Sequence, residues 1–577
     1  MKKYLIPMLS VFFVFVSFYP SVYEITHRGN LRPERAFELV HNFPTDYNFY
    51  LSRIREGIEG RWTVVERYTS EPHQGSFIHI VYVLAGQVGR FLRVPLHRSA
   101  DIYHVARIVL GFALLMLIGE YVRKSFRGRE SGIMNHELRK KSSIHHSPFT
   151  IHHSLFSILA FLLVVTASGW PSLVYHNNRW LFGGHMAWWS IMDTLIRITH
   201  VPHLLAGQAL IVFLVLAFSH EKTMKKSGNW IILGVLGLVL GVVFPPGLIM
   251  MYAILLVLFG VEMTDKTMSH WAYMMRKKIA PYMVFGFISV PALIYLSLMT
   301  SVYPWKRLAE FDIINPLPFN YIEYVKALGP LLPLGLIGLI IAFIKKEKHM
   351  YASVAWALAW ITLLAVFQFI PQQSPLRFTE MAPHIPLGVL TAYVFYSLFK
   401  IPFGLPQGGH YSLFIIPVFI IILGLGSMYS TIEWLKEGID TKMNAAYPLV
   451  PTGAYLMYPL KDFMQPFYYI LDNTPPDAVV LSETTAGNYI PVYSGHTVYV
   501  GHANTVRAEE KGLLVRKFFA GRMSVNDAQA WLAKERISIV YFGPQEKEDG
   551  GIGDLKRVYP FLVAAFTNPH VTVYRVP

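Results

Sequence analysis

Cysteine is absent from the chain. Disulfides, thiolate metal centres and a cysteine nucleophile are thereby excluded. Charge is scarce too: 15% of the 577 residues are charged, against 53% hydrophobic, and the mean hydropathy is +0.38. Ordinary soluble domains carry considerably more charge, so the composition is that of an integral membrane protein. Acidic residues are outnumbered, 36 to 51 Lys and Arg, leaving a formal charge of +15. In a membrane chain such an excess belongs to cytoplasmic loops, and nucleic acid is not expected as a partner. Several motifs are missing as well. Without a Walker loop, an HExxH or a GxSxG, ATP-driven transport, zinc proteolysis and α/β-hydrolase chemistry lack support, and "GQVGRFLRV" at 86–94 falls short of a dinucleotide motif.

What is present is a series of apolar runs. A bilayer core about 30 Å thick takes roughly 20 helical residues. Eleven spans are expected near 4–20, 102–121, 152–168, 202–218, 230–244, 247–262, 280–299, 327–344, 351–369, 383–399 and 412–428. The first follows Lys2 and Lys3 and lacks a small-x-small cleavage site in "FYPSVYEITH", so an uncleaved anchor is expected. The long run from Trp230 to Met263 is broken by "FPPG" at 244–247, because proline lacks an amide donor and clashes with the preceding turn.

With a cytoplasmic N-terminus, four of the five even-numbered spans exit into basic loops, "VRKSFRGRESGIMNHELRKK" at 122–141, "EKTMKK" at 221–226, "RKK" at 276–278 and "KKEK" at 345–348, and the tenth is followed by Lys400 alone. The large loops and everything past about 430 then lie outside. Four parts are expected: an anchor at 1–20, a first external loop with interfacial helices at 21–101, a transmembrane domain at 102–429, and an external domain at 430–577. In that last part, "AVVLS" (478–482), "TVYVGH" (497–502), "SIVYFGP" (538–544) and "VTVYRV" (571–576) read as strands. Helices are expected over 506–520 and 525–536, the second capped by Ser524, which makes the domain α/β. The duplicated "IHHSPF" and "IHHSLF" at 144–156 has the look of an inserted repeat rather than a metal site.

Residues that could carry chemistry concentrate on the external side. Asp46 suits a general base at the membrane surface, and equally the N-cap of a helix beginning near Tyr47. Along 47–59, Tyr47, Tyr50, Leu51, Ile54 and Ile58 recur at helical spacing, so Arg53, Arg55, Glu56, Glu59 and Arg61 read as the solvated side of an interfacial helix. Further on lie Glu66, Glu71 and His73 in "VVERYTSEPHQG". The loop at 169–201 offers Trp170, Trp180, Trp188 and Trp189 as interfacial anchors or sugar-stacking faces, with Asp193, His200 and His203 near a span entrance. Arg377 in "PQQSPLRFTEMAPH", beside Glu380 and His384, suits a phosphate clamp or a snorkelling cation. Glu483, Asn488, Tyr493 and His496 are expected in loops after strands.

The order of these parts, with "TDYNFYLSRIREGIEGRW", "YTSEPHQG", "RITHVPHLLAGQAL" (197–210), "PLRFTEMAPHIPLG" (375–388) and "TPPDAVVLSETTAGNYIPVYSGHTVYVGH" (474–502), resembles the GT-C superfamily of polytopic membrane glycosyltransferases, in particular the mannosyltransferase-like and aminoarabinose-transferase-like proteins. The resemblance implies a multi-pass plasma-membrane enzyme, a hexosyl- or pentosyltransferase. It would move a sugar from a polyprenyl-phosphate donor to a glycan, lipid or protein acceptor on the noncytoplasmic face. By position Asp46 would match the first-loop carboxylate that binds or deprotonates the acceptor, and Arg377 would steady the departing lipid phosphate. Glu71 would be the second catalytic carboxylate, with Glu66, His73, Asp193, His200 and His203 around the substrates. The first loop lacks an adjacent acidic pair, so dependence on Glu66, Glu71 or Asp193, or on a divalent cation, stays open. The rival readings are a transporter or lipid flippase, for which the spans carry too few charges, and a scaffold that binds through its external domain.

Overall fold

The computed structural model describes residues 4–127, 148–263, 268–370, 373–399, 414–451 and 457–577. Of the duplicated His-rich stretch, 144–147 lie outside them, and the rest belongs to helix Pro148–Val165. The chain forms two compact units. One comprises Met1–Tyr19, Arg107–Ile294 and Leu317–Trp434; the other comprises Pro20–Ala106, Tyr295–Pro316 and Leu435–Pro577.

Among the described residues six helices are long and apolar enough to cross a membrane: Leu5–Thr26, Leu96–Phe126, Pro245–Met263, Ile279–Met299, Lys348–Phe367 and Ile415–Asn444. A seventh candidate is the pair Tyr321–Leu328 and Leu331–Ile344, bent by 80°. Gly329 makes that bend with φ +62, and a Cβ there would sit 2.0 Å from the Ser168 carbonyl oxygen. The other four expected spans correspond to the shorter apolar helices Leu155–Val165, Pro202–Phe218, Ser227–Val243 and His384–Phe399. The "FPPG" break is where expected: Phe244 separates Ser227–Val243 from a helix beginning at Pro245. The first unit also holds a hairpin, β1 (Ser172–His176) with β2 (Arg179–Gly183). Asn177 and Asn178 turn it with φ 47 and 59, the left-handed pair that a two-residue hairpin turn demands.

The second unit is built on five strands: β3 (Val479–Leu481), β4 (Thr497–Val498), β5 (Ile537–Phe542), β6 (Val563–Thr567) and β7 (Thr572–Arg575). Their order is β4-β3-β5-β7-β6, with β3 parallel to β4 and β5, and β7 antiparallel to β5 and β6. Alternation along β5 sorts its side chains to two cores. Ile539 and Tyr541 join Phe49, Phe463 and Phe467, while Val540 and Phe542 join Phe518, Phe519 and Leu532. Three expected strands and both expected helices are present, and Ser524 caps its helix by accepting from the Asp527 amide. The expected strand at 497–502 shortens to two residues, because the chain bends at Tyr499 and Val500.

The first-loop charges differ from expectation. Helix Pro44–Ile58 is buried on nearly every face. Arg53, Arg55 and Glu56 are buried, and Arg61 is exposed. Arg53 donates to Glu56 (3.1 Å) and Glu66 (2.6 Å), and Arg55 donates to Glu59 (2.8 Å) and to the carbonyls of Val492 and Tyr493 (3.0 Å each). Arg53, Arg55 and Glu56 are thus the buried polar framework of the unit and not a wet face, while Glu59 and Arg61 stay exposed as expected. Gly57 lets the helix meet Ile80–Phe91: a Cβ at 57 would lie 2.2 Å from the Val83 oxygen.

Candidate functional site

Asp46 sits in the first turn of helix Pro44–Ile58, two residues after its proline start. Phe43 occupies the cap position and no side chain caps the helix, so Asp46 is not the N-cap that the sequence allowed. The carboxylate is half exposed, and its Oδ1 lies 3.5 Å from Nε2 of the buried His502. His502 stacks on Phe49 with ring centroids 4.7 Å apart, and its Nδ1 accepts from the Asn504 amide at 3.2 Å. A neutral imidazole held this way carries its proton on Nε2, facing Asp46. His502 was hidden at the end of what reads as a strand, and no sequence signal singles it out.

The other first-loop candidates are held more tightly. Glu66 takes the Arg53 guanidinium and the Tyr68 amide (3.2 Å). His73 accepts the Glu66 amide at Nε2 (2.8 Å) and donates from Nδ1 to the Glu71 carbonyl (2.7 Å), which pins the loop. Glu71 pairs with Lys511 (2.9 Å) and Arg507 (3.5 Å) and accepts from the Thr69 hydroxyl. Burial works to raise its pKa, but Thr69 and Lys511 outweigh burial and leave it below the ordinary carboxylate range. Such a carboxylate stays charged and suits orientation better than proton uptake. Glu71 and His73 line a cleft of about 760 Å³ together with Asp477, Arg536 and Arg575.

Two of the four tail residues stand on a helix rather than in loops, while Glu483 precedes it and His496 follows it. Helix Thr484–Tyr493 begins after Glu483 and includes Asn488 and Tyr493. Asn488 accepts from Asn48 (2.9 Å) and donates to the Thr45 carbonyl (3.2 Å), bracing the residues beside Asp46. His496 is buried in the following turn against Thr474 and the Pro475 carbonyl. Burial pushes Glu483 up to about 7, aided by Asp549, and pushes Glu546 up to about 7 as well. An acid whose folded pKa is raised holds its proton more tightly when folded. Its contribution to stability is therefore greatest below the ordinary carboxylate range and falls as pH rises toward about 7. Glu483→Gln should flatten the melting temperature between about pH 5 and pH 8; an unchanged slope would show that Glu483 is already ionised throughout that window.

In the first unit, Asp193 accepts from the Leu195 (2.7 Å) and Ile196 (2.8 Å) amides at one oxygen and from Thr431 (2.7 Å) at the other, which makes it a turn cap. His200 is buried; burial, with His203 and Arg107 nearby, pushes it down to about 3, so it is neutral. His203 opens helix Pro202–Phe218. Arg377 is 35% exposed, 3.7 Å from Glu380, with its guanidinium 6.0 Å from the Trp189 ring centroid; Trp189 in turn donates to Thr379 (2.9 Å). A residue the sequence reading passed over is Arg197. It is buried, donates to the carbonyls of Val165 (3.1 Å) and Ala167, and lines a small enclosed cavity of about 20 Å³ with Gln208, Thr379 and His384.

No group of three or more His, Asp or Glu side chains suited to a metal occurs among the described residues. Asp46 and His502 supply two ligands of the type a divalent ion takes, one fewer than such a group.

No family model and no curated protein matches the chain. Solved structures do. The oligosaccharyltransferase of Archaeoglobus fulgidus in its apo form aligns with 100% of this chain and 75% of its own, at 12% identity and a TM-score of 0.50. The archaeal oligosaccharyltransferase AglB from the same organism, in complex with an inhibitory peptide and a dolichol-phosphate, aligns over 98% and 74% at 11% identity and a TM-score of 0.49. The A. fulgidus enzyme tethered to an acceptor peptide containing the NVT sequon aligns over 98% and 74% at 12% identity and a TM-score of 0.48. At these identities the likeness is one of fold. The chain shares its fold with the A. fulgidus oligosaccharyltransferase, and six of its described helices are long and apolar enough to cross a membrane.

Proposed function

We propose that the protein is a membrane glycosyltransferase that moves a sugar from a polyprenyl-phosphate donor to an acceptor on the noncytoplasmic face. The observation that carries this reading is Asp46, a half-exposed carboxylate in the first turn of a buried helix, held against His502 in a chain of this fold. His502 Nε2 lies 3.5 Å from one carboxylate oxygen, and the other is the one that meets an acceptor hydroxyl. Asp46 takes the hydroxyl proton as the acceptor oxygen bonds to the anomeric carbon. The bond from that carbon to the phosphate oxygen breaks with inversion, and its electrons leave on the lipid phosphate. Arg377 is the cation assigned to that leaving group. Glu71, Glu66 and His73 shape the acceptor side, while Asp193, His200 and His203 shape the loop that precedes helix Pro202–Phe218.

The topology that goes with this reading has eleven spans, the N-terminus in the cytoplasm, and both the 21–101 loop and the 430–577 domain outside. The test is transfer by membranes containing the protein, supplied with radiolabelled polyprenyl-phosphate sugars or with the matching nucleotide sugars. Label should reach an acceptor from the lipid donors alone. Transfer from nucleotide sugars, with none from any lipid donor, would end the reading.

A further inference from the structure

A second pocket lies in the first unit, on the ends of three helices. It has a volume of about 330 Å³ and is walled by Ser99–Arg127, Pro202–Phe218 and Ser227–Val243. Its lining is graded. Toward the helix ends stand Glu120, Lys124, His220, Thr223 and Asn229; farther along the helices stand Leu117, Phe213, Leu216 and Ile232. Leu117 to Lys124 and Phe213 to His220 are each seven residues, about 10 Å at 1.5 Å per residue. That is the distance from a lipid phosphate into the upper acyl region, and both helices run from apolar to polar in the same sense. Phe213 and Ile232 are 42% and 59% exposed, as side chains facing hydrocarbon are.

The polar rim is built and basic. Asn229 donates to the Thr223 carbonyl (2.9 Å), and the Trp230 indole donates to the Met224 carbonyl (2.9 Å), which fixes the turn and places an aromatic at headgroup depth. His220 meets Thr223 Oγ1 through Nδ1 (3.1 Å), leaving Nε2 for a ligand. Lys124 stands 3.8 Å from Glu120, and the exposed Lys225 and Lys226 follow in the turn.

We propose that this pocket holds an anionic phospholipid, its phosphate at Lys124 and His220 and an acyl chain along Phe213 and Ile232. A zwitterionic lipid would fill the floor equally well, but with zero net charge it gains less from the basic rim than an anionic one does. In the topology proposed above this end is cytoplasmic. The site does not depend on the transfer reaction.

Native mass spectrometry of the full-length protein, incubated in detergent with phosphatidylglycerol or phosphatidylcholine, tests it. The anionic lipid should be retained preferentially. Lys124→Gln should lower its retention about fivefold, the effect of one interfacial charge, and Ile232→Trp, with every charge in place, should also lower it by filling the floor. Lys517→Gln, which removes an exposed charge from helix Ala508–Phe519 of the other unit, should change nothing. Equal retention of the two lipids overturns the proposal, as does an equal loss with Lys517→Gln or no loss with either pocket variant.

Discussion

Asp46→Asn is expected to lower sugar transfer by at least about 100-fold, the usual contribution of a positioned general base, while the protein keeps its fold. Asparagine matches aspartate in size and still offers His502 an oxygen, but it cannot take a proton from the acceptor. The structural cost is small: Asp46 is half exposed, caps nothing, and gives up only a favourable charge in the first helical turn, worth about 0.3–1 kcal/mol. The measurement is initial transfer rate with a labelled polyprenyl-phosphate sugar, with the melting temperature recorded on the same preparations. Wild-type rates in the variant would remove Asp46 from the chemistry.

Arg53→Leu should do the reverse and remove the fold first. Arg53 is completely buried and satisfies Glu56, Glu66 and the Val65 carbonyl at once, with its guanidinium 4.4 Å from the Phe49 ring centroid. Leucine leaves two buried carboxylates without their cation. Breaking a buried pair in this way costs about 3–5 kcal/mol, a large part of the stability of a typical domain. Thermal unfolding in detergent and limited proteolysis of the second unit would read the loss. An unchanged melting temperature would mean that Glu56 and Glu66 are accommodated as neutral acids. The two variants separate cleanly, because Asp46→Asn should lose activity at full stability and Arg53→Leu should lose both.

Much of the architecture was legible because hydrophobic runs, proline breaks and β-branched strands are local signals. "FPPG" divides two helices as its chemistry requires, and "SIVYFGP" is the central strand of the sheet. Strand β6 was not legible, since "VAAFT" carries two alanines, is buried on neither face and owes its place to pairing with β7. Helix Thr484–Tyr493 was read as loop because Gly487 and Pro491 interrupt its pattern. The charges of the first loop were misread for a different reason. Amphipathic spacing says which residues share a face, but not what covers it. Arg53 and Arg55 are covered by Glu66 and by carbonyls more than 400 positions away. Asp46 was found by its place in the chain; His502, its neighbour in space, carries no pattern of its own.

That sequence separation bears on how the protein is made. Arg55 donates to the Ser494 carbonyl across 439 positions, and Arg35 donates to four carbonyls between Ala446 and Tyr458. At roughly 5–20 residues per second, a ribosome that has just added these arginines works on for about 20–90 s before the partners of their guanidinium groups exist. Through that interval Arg35 and Arg55 lack these carbonyl acceptors. A nascent chain stalled near residue 430 should therefore expose the first loop to protease, and release of the remaining residues should protect it.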